Sequence, residues 1–209
     1  MTLIKSMNEA SQASDSQSYD QERLCGLLGQ ECSYQLDGKL MRRFLDGGHV
    51  IGLHRNEILT TAGMVDTNLY IVIEGIMRNW YYDGDREVTS YFSMDGTLFT
   101  AYYSFYCNRP AFYNVEACCP TTCLCIPRSH YFELFNTSHE FCKWFLTMAN
   151  CQLFFYEYKD SVINGTARER YIALLKKRPE ILRKVSLSVI ASYLKITPQY
   201  LSRLRKMKL

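Results

Sequence analysis

Four polar residues near the end of the sequence, Gln199, Ser202, Arg203 and Lys206, stand at i, i+3, i+4 and i+7, the spacing of one helical face. In a major groove a Gln amide can pair bidentately with adenine and an Arg guanidinium with guanine, while Lys suits a phosphate. Thr197 followed by Pro198 supplies an N-cap and a preset first helical residue, and the amides of such a helix start can hold a phosphate. The opposite face, Leu201 and Leu204, is apolar. Just upstream, Leu187, Ile190, Ala191 and Leu194 form the apolar face of a second short helix capped by Ser186. Ala191 is small where two helices must cross, and Lys195-Ile196 makes the turn with Ile196 filling the angle. The spacing predicts a helix-turn-helix that offers Thr197, Pro198, Gln199, Tyr200, Ser202, Arg203 and Lys206 to double-stranded DNA.

A polar stripe is also what a merely solvated helix shows, and charge separates the two readings. Residues 165–209 carry twelve Lys or Arg against two Glu, a formal +10, which leaves −7 for the rest of a chain whose total is +3. Half of all the basic residues in under a quarter of the chain calls for an anionic partner.

The elements that must position this face follow from periodicity. Residues 1–18, rich in Ser, Gln and Asp, read as a disordered tail without the pattern of a secretory signal. Gln21 to Gln30 and Gln35 to Leu45 read as short helices. From Val50 to Arg128 aromatic and β-branched residues dominate, punctuated at Gly63, Gly75, Asp83-Gly84-Asp85, Asp95-Gly96 and Pro120, which predicts a meander or roll of antiparallel strands. Phe141, Trp144, Met148, Cys151, Phe155, Tyr158 and Val162 then alternate in steps of three and four, the seam of a long helix reaching about 32 Å. That seam is longer than a small roll needs, which favours a dimer interface over packing on its own domain. Gly165 breaks the helix, Thr166-Ala-Arg-Glu169 matches a capping box, and Pro179 stops the helix that follows.

The segments Arg170-Tyr171 to Pro179-Glu180 and Ile190-Ala191-Ser192-Tyr193-Leu194 to Leu201-Ser202-Arg203-Leu204-Arg205-Lys206, with Glu57-Ile58-Leu59 and Leu69 to Gly75 upstream, resemble the Crp/Fnr family of bacterial transcription regulators, in particular its short Bacteroidetes-type members. The resemblance covers nearly the whole chain. It implies an α+β fold: a cyclic-nucleotide-binding-like β-roll or jelly roll (a double-stranded β-helix) over residues 19–137, a dimerisation helix over 138–164 and a helix-turn-helix domain over 165–209. It further implies a homodimer on a two-fold-symmetric operator, Gln199, Tyr200 and Arg203 facing bases, and RNA polymerase as a further partner. With the chain ending three residues after Lys206, the wing that usually follows is expected to be missing, and Lys176, Lys177, Arg178, Arg183 and Lys184 are expected to supply phosphate contacts.

Two departures from the family pattern bear on the controlling signal. Cyclic-nucleotide binders carry a Gly-Glu pair and, some ten residues on, an Arg followed by a small residue; here Asp95-Gly96-Thr97-Leu98 and Arg109-Pro110-Ala111 stand instead, with Arg109 out of register. No cyclic AMP is expected, and Tyr102, Tyr103, Tyr106, Phe112 and Tyr113 line a candidate pocket for another effector or simply pack. Oxygen-sensing relatives hold iron–sulfur clusters, and Cys25 and Cys32 alone do not supply four thiolates. Cys118, Cys119, Cys123 and Cys125 read as reduced, buried thiols. Four histidines, none in a His-x-His pair, and no paired carboxylates or triad argue against an enzyme. No run approaches the roughly 20 apolar residues of a membrane span, so a cytoplasmic location is expected. The alternative is a β-roll module that binds a ligand or protein without specific DNA binding.

Overall fold

The computed structural model describes residues 19–31, 34–163 and 165–207; of Glu31, Phe155, Tyr156 and residues 158–163 only the backbone is described. The expected tail lies outside the described residues. Among the described residues two helices come first, α1 (Gln21–Glu31) and α2 (Gly38–Asp46), the second capped by Asp37, whose carboxylate accepts from the amides of Lys39 and Leu40.

Eight strands follow: β1 (His49–Leu53), β2 (Ile58–Thr60), β3 (Asn68–Glu74), β4 (Ile76–Asp83), β5 (Arg86–Met94), β6 (Leu98–Phe99), β7 (Asn114–Ala117) and β8 (Thr121–Pro127), with α3 (Tyr102–Cys107) between the last two pairs. They form two antiparallel four-stranded sheets, in the orders β1-β8-β3-β6 and β2-β7-β4-β5, a jelly-roll arrangement. The continuous apolar run of β3 is explained by its two covered faces. Tyr70 and Val72 point between the sheets, while Leu69, Ile71 and Ile73 pack under the helices.

A meander would pair the strands on either side of Gly75, but β3 pairs with β6 and β8, and β4 with β5 and β7. Gly75, at φ +120°, turns the chain from one sheet into the other, and a Cβ there would come within 2.7 Å of the Thr121 backbone, so only glycine fits. The Gly75 amide donates to Asp95 (2.9 Å) and the Ile76 amide to Thr121 Oγ1 (3.2 Å), closing the corner.

After β8 come α4 (Arg128–Thr137), α5 (His139–Ile163), α6 (Ala167–Lys177), α7 (Pro179–Lys184), α8 (Leu187–Tyr193) and α9 (Pro198–Lys206). On α5 the expected dimer seam is corrected in its first half. Phe141, Trp144 and Met148 are essentially fully buried in the chain's own core, where Phe44 packs against Phe141 and Trp144 at ring-centroid distances of 5.1 and 5.5 Å. Cys151 packs partly buried beside them. The side chains of Phe155, Tyr158 and Val162 lie outside the described residues. The helix covers the outer face of the β1-β8-β3-β6 sheet, and these residues are its floor.

Candidate nucleic-acid interface

The C-terminal helices are set by their caps. Thr166 Oγ1 accepts from the Glu169 amide (3.3 Å) while the Glu169 carboxylate accepts from the Thr166 amide (2.7 Å), completing the capping box that starts α6. Those hydrogen bonds hold the Glu169 carboxyl below its usual pKa. Ser186 caps α8 through the Val189 amide and Thr197 caps α9 through the Tyr200 amide. Between them Lys195 takes a left-handed conformation (φ +53°), and the Ile196 amide returns to the Ala191 carbonyl at 3.0 Å. This turn makes the helix pair compact. Ile190, Ala191, Leu201 and Leu204 are buried at the crossing, with Ile196 packed against them.

What the crossing leaves outside is the polar face. Thr197, Pro198, Gln199, Arg203 and Lys206 are exposed, Tyr200 is 37% exposed and Ser202 half-buried. The Arg203 guanidinium sits 5.7 Å from the Tyr200 ring centroid, which holds a long side chain in place by cation–π attraction. All seven residues expected to face DNA therefore share one accessible surface of α9. Lys176, Lys177, Arg183 and Lys184 are also exposed. Arg178 differs: its guanidinium donates to the Phe92 carbonyl (3.1 Å) and lies 5.8 Å from the Tyr91 ring centroid, so its charge serves the joint with the β-roll.

That joint gives Ser192 and Tyr193 a role that the sequence did not indicate. Ser192 on α8 donates to the Glu87 carbonyl and accepts from the Thr89 amide, both at 2.8 Å. Tyr193 packs on Phe92 at 4.8 Å between centroids, and Phe92, Ile76, Cys118 and Cys119 share one buried cluster with Tyr171, Leu174 and Ile181. The helix-turn-helix is thus seated on the β2-β7-β4-β5 sheet.

The aromatic residues expected around an effector gather beside α3. Tyr103 stacks on Phe112 at 4.6 Å and Tyr102 on Tyr106 at 6.4 Å. Their hydroxyls have partners: Tyr102 donates to Gln152 Oε1 on α5 (2.6 Å), Tyr106 shares a 2.8 Å bond with Tyr131, and Tyr113 donates to the Thr100 carbonyl (3.0 Å). Burial raises the Tyr113 phenol to about 12. Arg109 is exposed in the loop after α3. Inside the roll mouth the Asp66 carboxylate accepts from the Tyr70 hydroxyl (3.1 Å) and from Thr60, and Tyr70 stacks on Phe99 at 5.4 Å. On β4, Arg78 is buried against Glu116 of β7 at 2.8 Å. The described cysteines are free; Cys118, Cys119, Cys123 and Cys125 are buried, and desolvation pushes the Cys118 and Cys123 thiols to about 12.

Residues 50–138 match the family described as the cyclic nucleotide-binding domain. No curated protein matches the chain. Among solved structures, FixK2 from Bradyrhizobium japonicum is 18% identical with a TM-score of 0.66, covering 76% of this chain and 82% of its own. The c-di-GMP-responsive global regulator CLP from Xanthomonas campestris is 19% identical with a TM-score of 0.65, covering 81% and 90%. A regulator assigned to the Crp/Fnr family from Eubacterium rectale is 19% identical with a TM-score of 0.62, covering 81% and 82%. At these identities the likeness is one of fold. The chain shares the α+β fold of these structures, built on a cyclic nucleotide-binding-type β-roll. No helix among the described residues is long and apolar enough to cross a membrane.

Proposed function

We propose that this chain of Crp/Fnr-type architecture is a cytoplasmic DNA-binding transcription regulator that reads duplex DNA with α9. The observation that carries the reading is the accessible stripe of Gln199, Arg203 and Lys206 on a helix whose other face is locked by Leu201 and Leu204. Gln199 and Arg203 meet base edges, and Lys206 with the Thr197 end of the helix meets phosphates.

The regulator works as a homodimer on a two-fold-symmetric operator. Its seam lies on a different face of α5 from the one the heptad spacing indicated: Leu146 and Leu153, one heptad apart, are 62% and 58% exposed, with exposed Asn150 between them.

The controlling ligand is not cyclic AMP. A cyclic phosphate needs a cation where it docks, whereas Asp66 places a carboxylate against Tyr70, and its charge adds to the burial that raises the Tyr113 and Cys125 pKa values. Arg109 stays in solvent, and the buried Arg78 is already paired. Contact with RNA polymerase follows from the same regulator reading.

Selection of bound duplexes from a random pool tests the proposal. A recovered palindromic motif supports it; recovery of no motif would favour a β-roll module that binds a ligand or protein without reading DNA.

A further inference from the structure

A cavity of about 490 Å³ opens between α1, α2 and α5, well away from both the roll mouth and α9. Its α1 wall is the face Glu22, Cys25, Gly26 and Gly29, at i, i+3, i+4 and i+7. The opposite face of that helix, Leu24 and Leu28, is buried in the core. Two glycines inside an eleven-residue helix weaken it. Here they keep the space clear: a Cβ at Gly26 would meet nothing within 4 Å, and at Gly29 only the Gln35 side chain. The wall is anchored, since Arg23 donates to Asp95 at 2.6 Å and to the Ile73 carbonyl at 3.1 Å.

The lining has three chemical parts. Met41, Leu36 and the Cys25 thiol form an apolar side, and burial raises the pKa of that thiol against the opposing pull of Arg42. Glu22 on α1 and Arg42 on α2 bring opposite charges to the rim, and neither joins an ion pair among the described residues. Trp144 on α5 completes the wall; it is fully buried, and its indole N–H has no acceptor among the described residues.

We propose that this cavity binds a small zwitterion, an α-amino acid with an apolar side chain. The carboxylate pairs with Arg42 above the Trp144 ring, the ammonium group faces Glu22, and the side chain lies on Met41 and Leu36. The volume is more than enough to admit such a ligand. An acid without the amine, or an amine without the acid, leaves one rim charge unanswered. The proposal does not rest on DNA reading, and binding is measured without DNA.

The chain contains two tryptophans, so a Trp80→Phe variant makes Trp144 the sole indole reporter. This full-length variant is titrated with L-leucine, L-methionine and L-phenylalanine, and with 4-methylpentanoate and isoamylamine as single-charge controls. The expected result is a saturable change in Trp144 emission for at least one amino acid, with both controls weaker by about tenfold or more. Arg42→Gln and Gly26→Leu should each raise Kd by at least about tenfold, or about 1.4 kcal/mol, with the circular dichroism unchanged. Glu22→Gln should weaken the amino acid and leave 4-methylpentanoate unaffected. No saturation by any of the three at millimolar concentration overturns the proposal, as does unchanged affinity in Gly26→Leu and Arg42→Gln.

Discussion

The Ser192 hydroxyl accepts a 2.8 Å hydrogen bond from the Thr89 amide, so a helix-turn-helix side chain serves as a rung on the edge strand of a sheet. β5 is the terminal strand of its sheet, and an edge strand otherwise leaves such groups to solvent or to other chains. The same hydroxyl donates to Glu87, which registers α8, and with it the reading helix, to the β-roll.

Ser192→Ala should therefore loosen this joint. We expect the Thr89 amide to exchange hydrogen faster and stability to fall by about 1 kcal/mol, with the core amides of β3 unchanged. Unaltered exchange at Thr89 would show that the joint does not depend on this rung.

The Arg78–Glu116 pair is buried, with side-chain exposures of 6% and 9%. Arg78→Met would strand the Glu116 charge and should cost about 3–5 kcal/mol. Adding Glu116→Leu should recover much of that loss, because two apolar side chains then replace two desolvated ions. Chemical denaturation of the two single variants and the double variant measures the coupling; additive losses would contradict it.

The two faces of α5 should respond differently to mutation. Leu153→Glu, on the exposed face, should give monomers by sedimentation with little change in monomer stability. Met148→Ala, in the core, should cost about 2–5 kcal/mol and leave the association state alone. A dimeric Leu153→Glu protein would remove this helix face from the interface.

The buried thiols predict an alkaline limit. Cys118 and Cys123 are raised from 9.0 to about 12 in the fold, first of all by desolvation. Their neutral form is thus favoured in the folded chain, so this stability is intact below about 9 and is lost as pH rises towards about 12. Denaturation midpoints should fall over that window and less so in a Cys123→Ala variant compared with its own neutral-pH value. In the folded protein at neutral pH, iodoacetamide should modify exposed Cys107 well before Cys118 or Cys123; equal rates would contradict their burial.

The parts of the fold that were legible in the sequence are those specified by local chemistry. Thr166 with Glu169, Ser186, and Thr197 with Pro198 cap their helices through groups within three residues, so spacing alone revealed α6, α8 and α9. The polar face of α9 was legible for the same reason, since Leu201 and Leu204 fix which side turns inward. Pairing partners were not legible. The strand character of Leu69–Ile73 and Met77–Tyr82 was clear, but nothing local states that β3 pairs with β8 rather than β4, and only the crowding of Gly75 by Thr121 reveals the corner. The seam of α5 failed in a similar way. Phe141, Trp144 and Met148 announce burial without naming what buries them, and much of what does so, α1, α2 and β3, lies far away in the sequence. The short α3 and α4 were missed among aromatic residues that suit strands equally well. The joint-forming role of Ser192 carried no signal, because its partners are backbone atoms of a distant strand.

Arg203 is the side chain on which DNA reading by α9 most depends. The most direct measurement compares the affinities of wild type, Arg203→Ala and Lys206→Ala for a selected operator and for random duplex across a range of salt. Wild type should prefer the operator by about three orders of magnitude or more. Arg203→Ala should lose most of that preference, while Lys206→Ala should weaken both duplexes alike and lower the salt slope by about one. Equal affinity of wild type for operator and random DNA, or an Arg203→Ala variant that discriminates as well as wild type, would contradict α9 as the reading helix.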